Sequence, residues 1–222
     1  MHRVQGRADI PLDETGRSIA KATGKALLLR GIHFTSVYSS PLSRAKETAA
    51  LAAPGAEIRT DSRLSELDFG SFEGQPTLEM NEDPDCVFRF FISDPFRYNE
   101  EVTELLQKDS SFQCETLSEL LKRAESFVQE VITPLVLSER EETRVLISGH
   151  GALNRALLMA FAKNKDLHTF WGKGLQPNCG ITRVKAYREA SGQVRYEADK
   201  DAMIFYDPEE FNTPSNLFDK KP

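Results

Sequence analysis

The chain has 222 residues and a formal net charge of −6, with 28 Lys plus Arg against 34 Asp plus Glu. Hydrophobic residues make up 40% of the sequence, which is enough for a sizeable core and excludes a disordered or collagen-like chain. No stretch approaches the roughly 18 consecutive apolar residues of a membrane span, and the polar N-terminus lacks the apolar segment of a signal peptide. We therefore expect a cytoplasmic protein with no membrane partner and a single domain over residues 1–222.

Charge distribution and cysteine spacing exclude two further classes of protein. Lys and Arg form no basic run of the kind that binds a nucleic-acid backbone, so we expect no nucleic-acid partner. Cys86, Cys114 and Cys179 are far apart and form no C-x-x-C pair, which predicts reduced thiols and no metal site or redox cofactor.

The first half of the chain alternates helix and strand patterns. It predicts a helix from its N-cap Asp13 to about Arg30, a strand over 36–39, a helix with Pro41 in its first turn that runs to Pro54, and a strand near Ile58. Residues 63–74 resemble a loop, because Gly70 and Gly74 break the pattern. Prolines interrupt the aromatic-rich residues 75–114, which we interpret as an insertion or lid within the domain.

The second half continues the alternation. Its patterns predict a capping box at Thr116 with a helix that ends before Pro134, a strand over 144–148, a helix over 152–162, and a hairpin of strands 181–187 and 193–198 at the sheet edge. Helices that alternate with short apolar strands predict a three-layer α/β/α domain with a mainly parallel sheet.

Polar residues at the ends of two predicted strands are candidates for a site. His150 lies between two glycines, after a strand and before a helix, where open α/β sheets bind ligands and a helix N-terminus favours anions. Arg44 lies at a second junction of this kind, and its planar guanidinium can bind two phosphate oxygens at once. Both residue types also occur in purely structural roles, as a helix cap and as a surface charge.

Three carboxylates lie close together in the loop, and residue chemistry alone does not choose among them. Glu66, Asp68 and Glu73 are each eligible as a general acid if apolar surroundings raise the pKa. The polar residues Arg3, Gln5, Gly6 and Arg7 form an N-terminal loop that could contact a phosphate, although residue chemistry alone favours a frayed terminus.

Four blocks in order carry a resemblance to a known family. They are QGRADIPLDETG (5–16), YSSPLSRAKETA (38–49), RLSELDFGSFEG (63–74) and ISGHGALNRALL (147–158). Together they resemble the histidine phosphatase superfamily, the phosphoglycerate mutase-like proteins. The resemblance implies a phosphoglycerate mutase-like α/β fold and metal-independent phosphoryl transfer through a phosphohistidine, with a small phosphorylated metabolite as substrate.

The resemblance also assigns roles to individual residues. Arg44 matches a phosphate-binding arginine, His150 matches the second histidine of the site, and Glu66 matches the usual proton donor. Arg3, Gln5 and Gly6 fall in the loop that borders the substrate pocket.

One part of the family pattern has no counterpart in this chain. The family begins with a central strand that ends in an Arg-His-Gly motif, whose histidine is the nucleophile, whereas Met1 lies just before the Gln5-Gly6 loop. We expect a sheet that lacks this first strand, because of a late start codon or a truncated chain. The leading hypothesis is a phosphomonoesterase; the alternatives are a mutase-type phosphotransferase and an inactive paralogue that binds phosphorylated ligands. The sequence does not predict the oligomeric state.

Overall fold

The computed structural model describes residues 3–138, 142–172 and 174–211. The helices are α1 (Glu14–Leu29), α2 (Ser43–Ala52), α3 (Thr77–Glu82), α4 (Phe90–Ser93), α5 (Pro95–Lys108), α6 (Leu117–Phe127), α7 (Thr133–Ser138) and α8 (Gly151–Ala162). The strands are β1 (Ser36–Ser39), β2 (Ile58–Thr60), β3 (Val145–Ser148), β4 (Ile181–Arg188) and β5 (Val194–Met203). Most of the predicted elements are therefore confirmed within a few residues.

The sheet that carries the site is parallel and has three strands in the order β2-β1-β3. In its register Val37 pairs with Ile58 on one side and with Leu146 on the other. These three side chains pack with Ala49 of α2, whereas Tyr38 and Ile147 pack on the opposite face, in the cluster that contains α6 and α8. Helices therefore cover both faces, as the predicted three-layer α/β architecture requires.

The hairpin differs from its predicted position. Strands β4 and β5 pair with each other in antiparallel register, but in the described ranges they form a two-stranded sheet of their own. The hairpin is confirmed, whereas the prediction that it extends the edge of the main sheet is wrong for these residues. In the same ranges strand β3 pairs only with β1. The edge of β3 that faces away from β1 therefore has no paired strand among the described residues.

Local capping signals explain where the helices begin. The Asp13 side chain accepts a hydrogen bond from Gly16 N at 2.7 Å, and Thr116 forms a complete capping box with Glu119, as predicted. Pro41 does not lie in the first turn of α2, because Leu42 is the N-cap and the helix begins at Ser43. The Ser43 amide instead donates to Asp9 Oδ1 at 2.7 Å.

The helix predicted to end before Pro134 continues past it. A π-helical turn over Val128–Ile132 follows α6, and α7 then runs on to Ser138. The Thr133 hydroxyl donates to Val128 O at 3.0 Å across this turn. Proline lacks a backbone N–H, and the wider turn accommodates that gap without breaking the helix.

Residues 75–114 form helices α3, α4 and α5. Phe88, Phe91 and Tyr98 from this segment are buried in the same cluster as α6 and α8. Phe91 packs edge-on against Trp171 at 5.0 Å between ring centroids. The aromatic side chains of the segment therefore complete the core on this face of the sheet. No helix in the described part of the chain is long and apolar enough to cross a membrane.

Candidate active site

Two helix N-termini meet at the carboxyl ends of β1 and β3. Ser39 and Ser148, the last residues of the two strands, are register partners, and the chain enters α2 and α8 a few residues beyond them. The Ser148 hydroxyl also donates to Ala45 O at 2.9 Å, which ties the end of β3 to the first turn of α2. Backbone N–H groups of both helices therefore point towards the carboxyl ends of the strands, where an anion is favoured.

Arg44 lies in the first turn of α2 and reaches across to the N-terminal loop. Its Nη1 donates to Ala8 O at 2.8 Å and its Nη2 donates to Gly6 O at 2.7 Å. Partial burial lowers the pKa of the guanidinium, while the charges of Glu66, Asp9 and Glu73 oppose that shift. A guanidinium has five N–H donors, so donors remain for a ligand after these two bonds.

Glu73 holds the other side of the same loop. Its Oε1 accepts from Gly6 N at 2.6 Å and from Ala8 N at 3.3 Å, and its Oε2 accepts from Arg7 N at 3.3 Å. The carboxylate of Glu73 therefore binds the N–H groups of the loop, and the guanidinium of Arg44 binds its carbonyl groups. Gly6 also lies so close to the loop of residues 63–74 that an added Cβ would be 2.3 Å from Leu67 O.

His150 is the N-cap of α8. Its Nε2 is buried and has no hydrogen-bond partner among the residues that the structure describes. Burial, together with the charges of Arg44 and Arg123, lowers the pKa of His150 to about 3. The imidazole is therefore neutral at pH 7, and the tautomer protonated at Nε2 would have an N–H available for a ligand oxygen.

Glu66 is a buried carboxyl group at the N-terminus of α8, with the residue only 7% exposed. Oε1 accepts from Leu67 N at 2.8 Å and from Leu153 N at 3.0 Å, and Oε2 accepts from Ala152 N at 3.2 Å. Burial raises the pKa of Glu66 above its usual value of 4.5, although the three backbone N–H groups and the charge of Arg123 oppose that rise. The group is both protected from water and able to exist as a hydrogen-bonded anion.

Residue chemistry alone does not choose a general acid among Glu66, Asp68 and Glu73, but the structure places the three in different surroundings. The Asp68 side chain accepts from Gly70 N at 3.0 Å and shapes a turn, and Glu73 binds the N-terminal loop. Only Glu66 of the three is buried beside the α8 terminus that carries His150. The geometry brings Arg44, His150 and Glu66 together, because the charge of Glu66 acts on the pKa of Arg44 and the charge of Arg44 acts on the pKa of His150.

The other predicted site residues lie at the margin. Arg3 donates from Nη1 to Gly74 O at 2.7 Å, so its side chain joins the two loops, and Gln5 is exposed. Their predicted contact with phosphate stays a prediction.

The remaining described histidines lie outside the site. His33 and His168 are exposed, and His168 stacks on Phe96 with ring centroids 4.4 Å apart. His2, which we expect on the surface, lies outside the described residues.

Sequence reasoning missed Arg123 altogether and predicted Arg7 only as part of a loop that could contact a phosphate; both arginines support this site. Arg123 of α6 donates to backbone carbonyls of residues 63–66 and pairs with Glu115. Arg7 Nε donates to Glu66 O at 3.1 Å. Their carbonyl partners are 57 to 60 residues away in the chain, so no local pattern marks them. The nearest signal is Glu115, which lies 8 residues before Arg123 and directly precedes the capping box.

Comparison with known proteins identifies the family of the chain. The family model for the histidine phosphatase superfamily (branch 1) matches residues 1–199. A putative phosphoserine phosphatase 2 from Hydrogenobacter thermophilus is 27% identical over 192 residues, which cover 86% of this chain and 84% of that protein. A 2,3-bisphosphoglycerate-dependent phosphoglycerate mutase from Brucella canis is 32% identical over 163 residues, with 70% and 71% of the two chains covered.

Comparison with solved structures identifies the fold. A mycobacterial glucosyl-3-phosphoglycerate phosphatase, solved with inorganic phosphate, superimposes with a TM-score of 0.68 at 24% identity. The match covers 91% of this chain and 92% of that one. The parallel sheet with helices on both faces is therefore a phosphoglycerate mutase-like α/β fold.

Proposed function

Because this chain belongs to the histidine phosphatase superfamily, we propose that it is a phosphomonoester hydrolase that acts through a phosphohistidine on a small phosphorylated metabolite. The observation that carries the proposal is the buried Nε2 of His150, which has no hydrogen-bond partner within residues 3–138, 142–172 and 174–211 and lies near the charge of Arg44. A buried polar atom without a partner costs free energy. A phosphoryl oxygen at this position would remove that cost and would also lie at the positive end of α8.

Arg44 and His150 bind the phosphoryl group in this proposal. The donors of Arg44 that are not engaged by Gly6 O and Ala8 O make charge-assisted hydrogen bonds to phosphoryl oxygens. A neutral His150 adds one N–H. As the bond to the leaving group breaks, charge spreads over the phosphoryl oxygens, and these fixed donors stabilise it without having to reorganise.

Glu66 is the proton donor. Burial favours its protonated form, as a general acid requires. When the nucleophilic histidine forms its N–P bond and the P–O bond of the ester breaks, the proton of Glu66 passes to the leaving oxygen. The carboxylate that remains accepts hydrogen bonds from the amides of Leu67, Ala152 and Leu153. Water then attacks phosphorus, the N–P bond breaks, and the proton of the water returns to Glu66.

The nucleophilic histidine is not among the described residues near Arg44. Of the described histidines, His33 lies before β1 and His168 stacks on Phe96, so neither is placed to attack a group held by His150. We propose that the nucleophile comes from outside the described part of the chain, on a strand beside the edge of β3 that faces away from β1. This same observation favours the second candidate function, a phospho-ligand-binding protein without turnover.

Ligand binding by the 222-residue chain tests the site. We expect titration calorimetry to detect binding of inorganic phosphate, and Arg44→Met and His150→Ala each to weaken it about tenfold or more, since charge-assisted hydrogen bonds are worth about 1.5–3 kcal/mol. Arg97→Met is the matched control, because Arg97 pairs with Glu101 on the surface. Equal binding by all four proteins contradicts the assigned roles.

Turnover separates the two candidate functions. A form that carries an in-frame Arg-His-Gly segment ahead of Met1 is expected to hydrolyse an aryl phosphate in the presence of a chelator, and His150→Ala to abolish most of this activity. The 222-residue chain is expected to show almost none. A stop codon upstream without such a segment, together with phosphate binding and no turnover, would support the binding protein instead. Transfer of the phosphoryl group to a sugar acid rather than to water would identify a mutase.

A further inference from the structure

Arg123 in the middle of α6 makes an unusual set of contacts with one short loop. Its Nη1 donates to Arg63 O at 2.6 Å and to Ser65 O at 2.7 Å, and its Nη2 donates to Glu66 O at 2.9 Å. Three carbonyl groups within four residues thus converge on one guanidinium. Arg7 Nε donates to Glu66 O as well, at 3.1 Å, so two arginines hold the backbone of Glu66.

Glu115 fixes the orientation of Arg123 from the other side. Arg123 Nε donates to Oε1 at 2.6 Å and Nη2 donates to Oε2 at 2.9 Å. The side chains of Arg123 and Glu115 are only 15% and 12% exposed, so water screens this pair weakly. A lysine has no planar fork and cannot satisfy a bidentate carboxylate and three carbonyls at once.

These contacts determine where the carboxyl group of Glu66 lies. The oxygens of this side chain reach the amides of Ala152 and Leu153 from the backbone position that the two arginines hold. Those amides belong to the first turn of α8 and have no partner within the helix. We infer that Arg123 is a positioning residue, which aims the carboxyl group of Glu66 at the α8 terminus and so at the leaving group of the substrate.

The chemical part of this inference rests on the proposed function, in which Glu66 protonates the leaving oxygen. A proton donor matters greatly for an alkyl phosphate, whose alkoxide is a poor leaving group. It matters little for p-nitrophenyl phosphate, whose phenolate leaves without help. A residue that positions the donor must therefore share this dependence on the leaving group, whereas a residue that only stabilises the fold affects both substrates equally.

Hydrogen exchange in the 222-residue chain tests the positioning without any need for turnover. Protection of the Ala152 and Leu153 amides reports their contact with Glu66, because the helix offers them no other acceptor. We expect exchange at both amides to become about tenfold faster in Arg123→Lys, which corresponds to about 1.4 kcal/mol. Exchange in the middle of α1, for example at Ala20, is expected to stay unchanged, as it is everywhere in the control Arg97→Met.

Kinetics of a catalytically active form provide the second test. We expect Glu66→Gln and Arg123→Lys to lower kcat/KM for an alkyl phosphate about 100-fold, within the usual range for loss of general acid catalysis. The ratio kcat/KM covers only the steps up to release of the leaving group, so it excludes the later attack of water. Both are expected to change kcat/KM for p-nitrophenyl phosphate less than about fivefold. Arg123→Lys in a Glu66→Gln background is expected to add little, because both changes remove one function.

The outcomes separate failure of the inference from failure of the proposed function. Unchanged exchange at Ala152 and Leu153 in Arg123→Lys, or exchange that rises throughout the chain, overturns the positioning role. Arg123→Met, which also removes the charge, is a second variant for the same exchange measurement. Should it fail to fold, Arg123→Lys alone decides, since it keeps the charge. If Glu66→Gln lowers kcat/KM equally for both substrates, Glu66 is not the proton donor, and the exchange result still decides whether Arg123 positions its carboxyl group.

Discussion

Replacing Glu73 by Gln is expected to loosen the N-terminal loop and, through it, Arg44. The Glu73 carboxylate accepts one short hydrogen bond, at 2.6 Å from Gly6 N, and two long ones at 3.3 Å from Arg7 N and Ala8 N. A hydrogen bond to a charged group contributes about 1.5–3 kcal/mol, and the long bonds contribute less. Gln keeps an acceptor for Gly6 N but has no charge, and its amide NH₂ faces the N–H of Arg7.

We therefore expect a loss of about 1–2 kcal/mol in the free energy of unfolding, since one good bond is weakened and one long bond is replaced by a donor–donor contact. The same loop supplies Gly6 O and Ala8 O to Arg44. Its displacement is expected to weaken phosphate binding about three- to tenfold.

Urea unfolding, followed by the fluorescence of the buried Trp171, measures the first effect, with the slope m expected to stay constant. Calorimetry with inorganic phosphate measures the second. Glu57→Gln is the matched control, because Glu57 is an exposed partner of Arg59, with 79% of its side chain accessible, and surface ion pairs contribute little. If Glu73→Gln and Glu57→Gln have equal stability, or if phosphate binding is unchanged in Glu73→Gln, the loop does not hold Arg44.

Three further predictions concern the groups around this site. The raised pKa of Glu66 means that the folded state binds its proton more tightly than the unfolded state. The stability of the native chain relative to Glu66→Gln is therefore expected to fall as pH rises from about 4.5 to the raised pKa; urea midpoints that run parallel across this range would contradict it. The pKa of His150, lowered to about 3, predicts NMR shifts of a neutral imidazole from pH 8 down to about pH 4, and titration near 6.5 would show that the ring is not buried. Gly6→Ala places a Cβ 2.3 Å from Leu67 O and is expected to cost about 1–3 kcal/mol in urea unfolding, whereas an unchanged midpoint would show that the two loops do not approach this closely.

Local signals in the sequence predicted much of the fold. Asp13 and Thr116 cap their helices as expected, because a capping side chain bonds to an amide only two or three residues away. The alternation of Val37 and Tyr38 between the two faces of β1 follows from the period of a strand. The helix continues past Pro134 although proline normally ends a helix, because the π-turn before it removes the clash that causes this.

The candidate site was predicted in part, and the remainder depends on contacts between distant residues. Four motif blocks led to Arg44, His150 and Glu66, but residue chemistry could not separate Glu66 from Asp68 and Glu73. The fold separates them: it buries Glu66 against the first turn of α8, while Glu73 binds the loop of residues 6–8. Arg123 meets the carbonyl of Glu66 across 57 residues of sequence. A backbone carbonyl is the same in every residue, so only the packing of α6 against that loop decides which carbonyls this guanidinium binds.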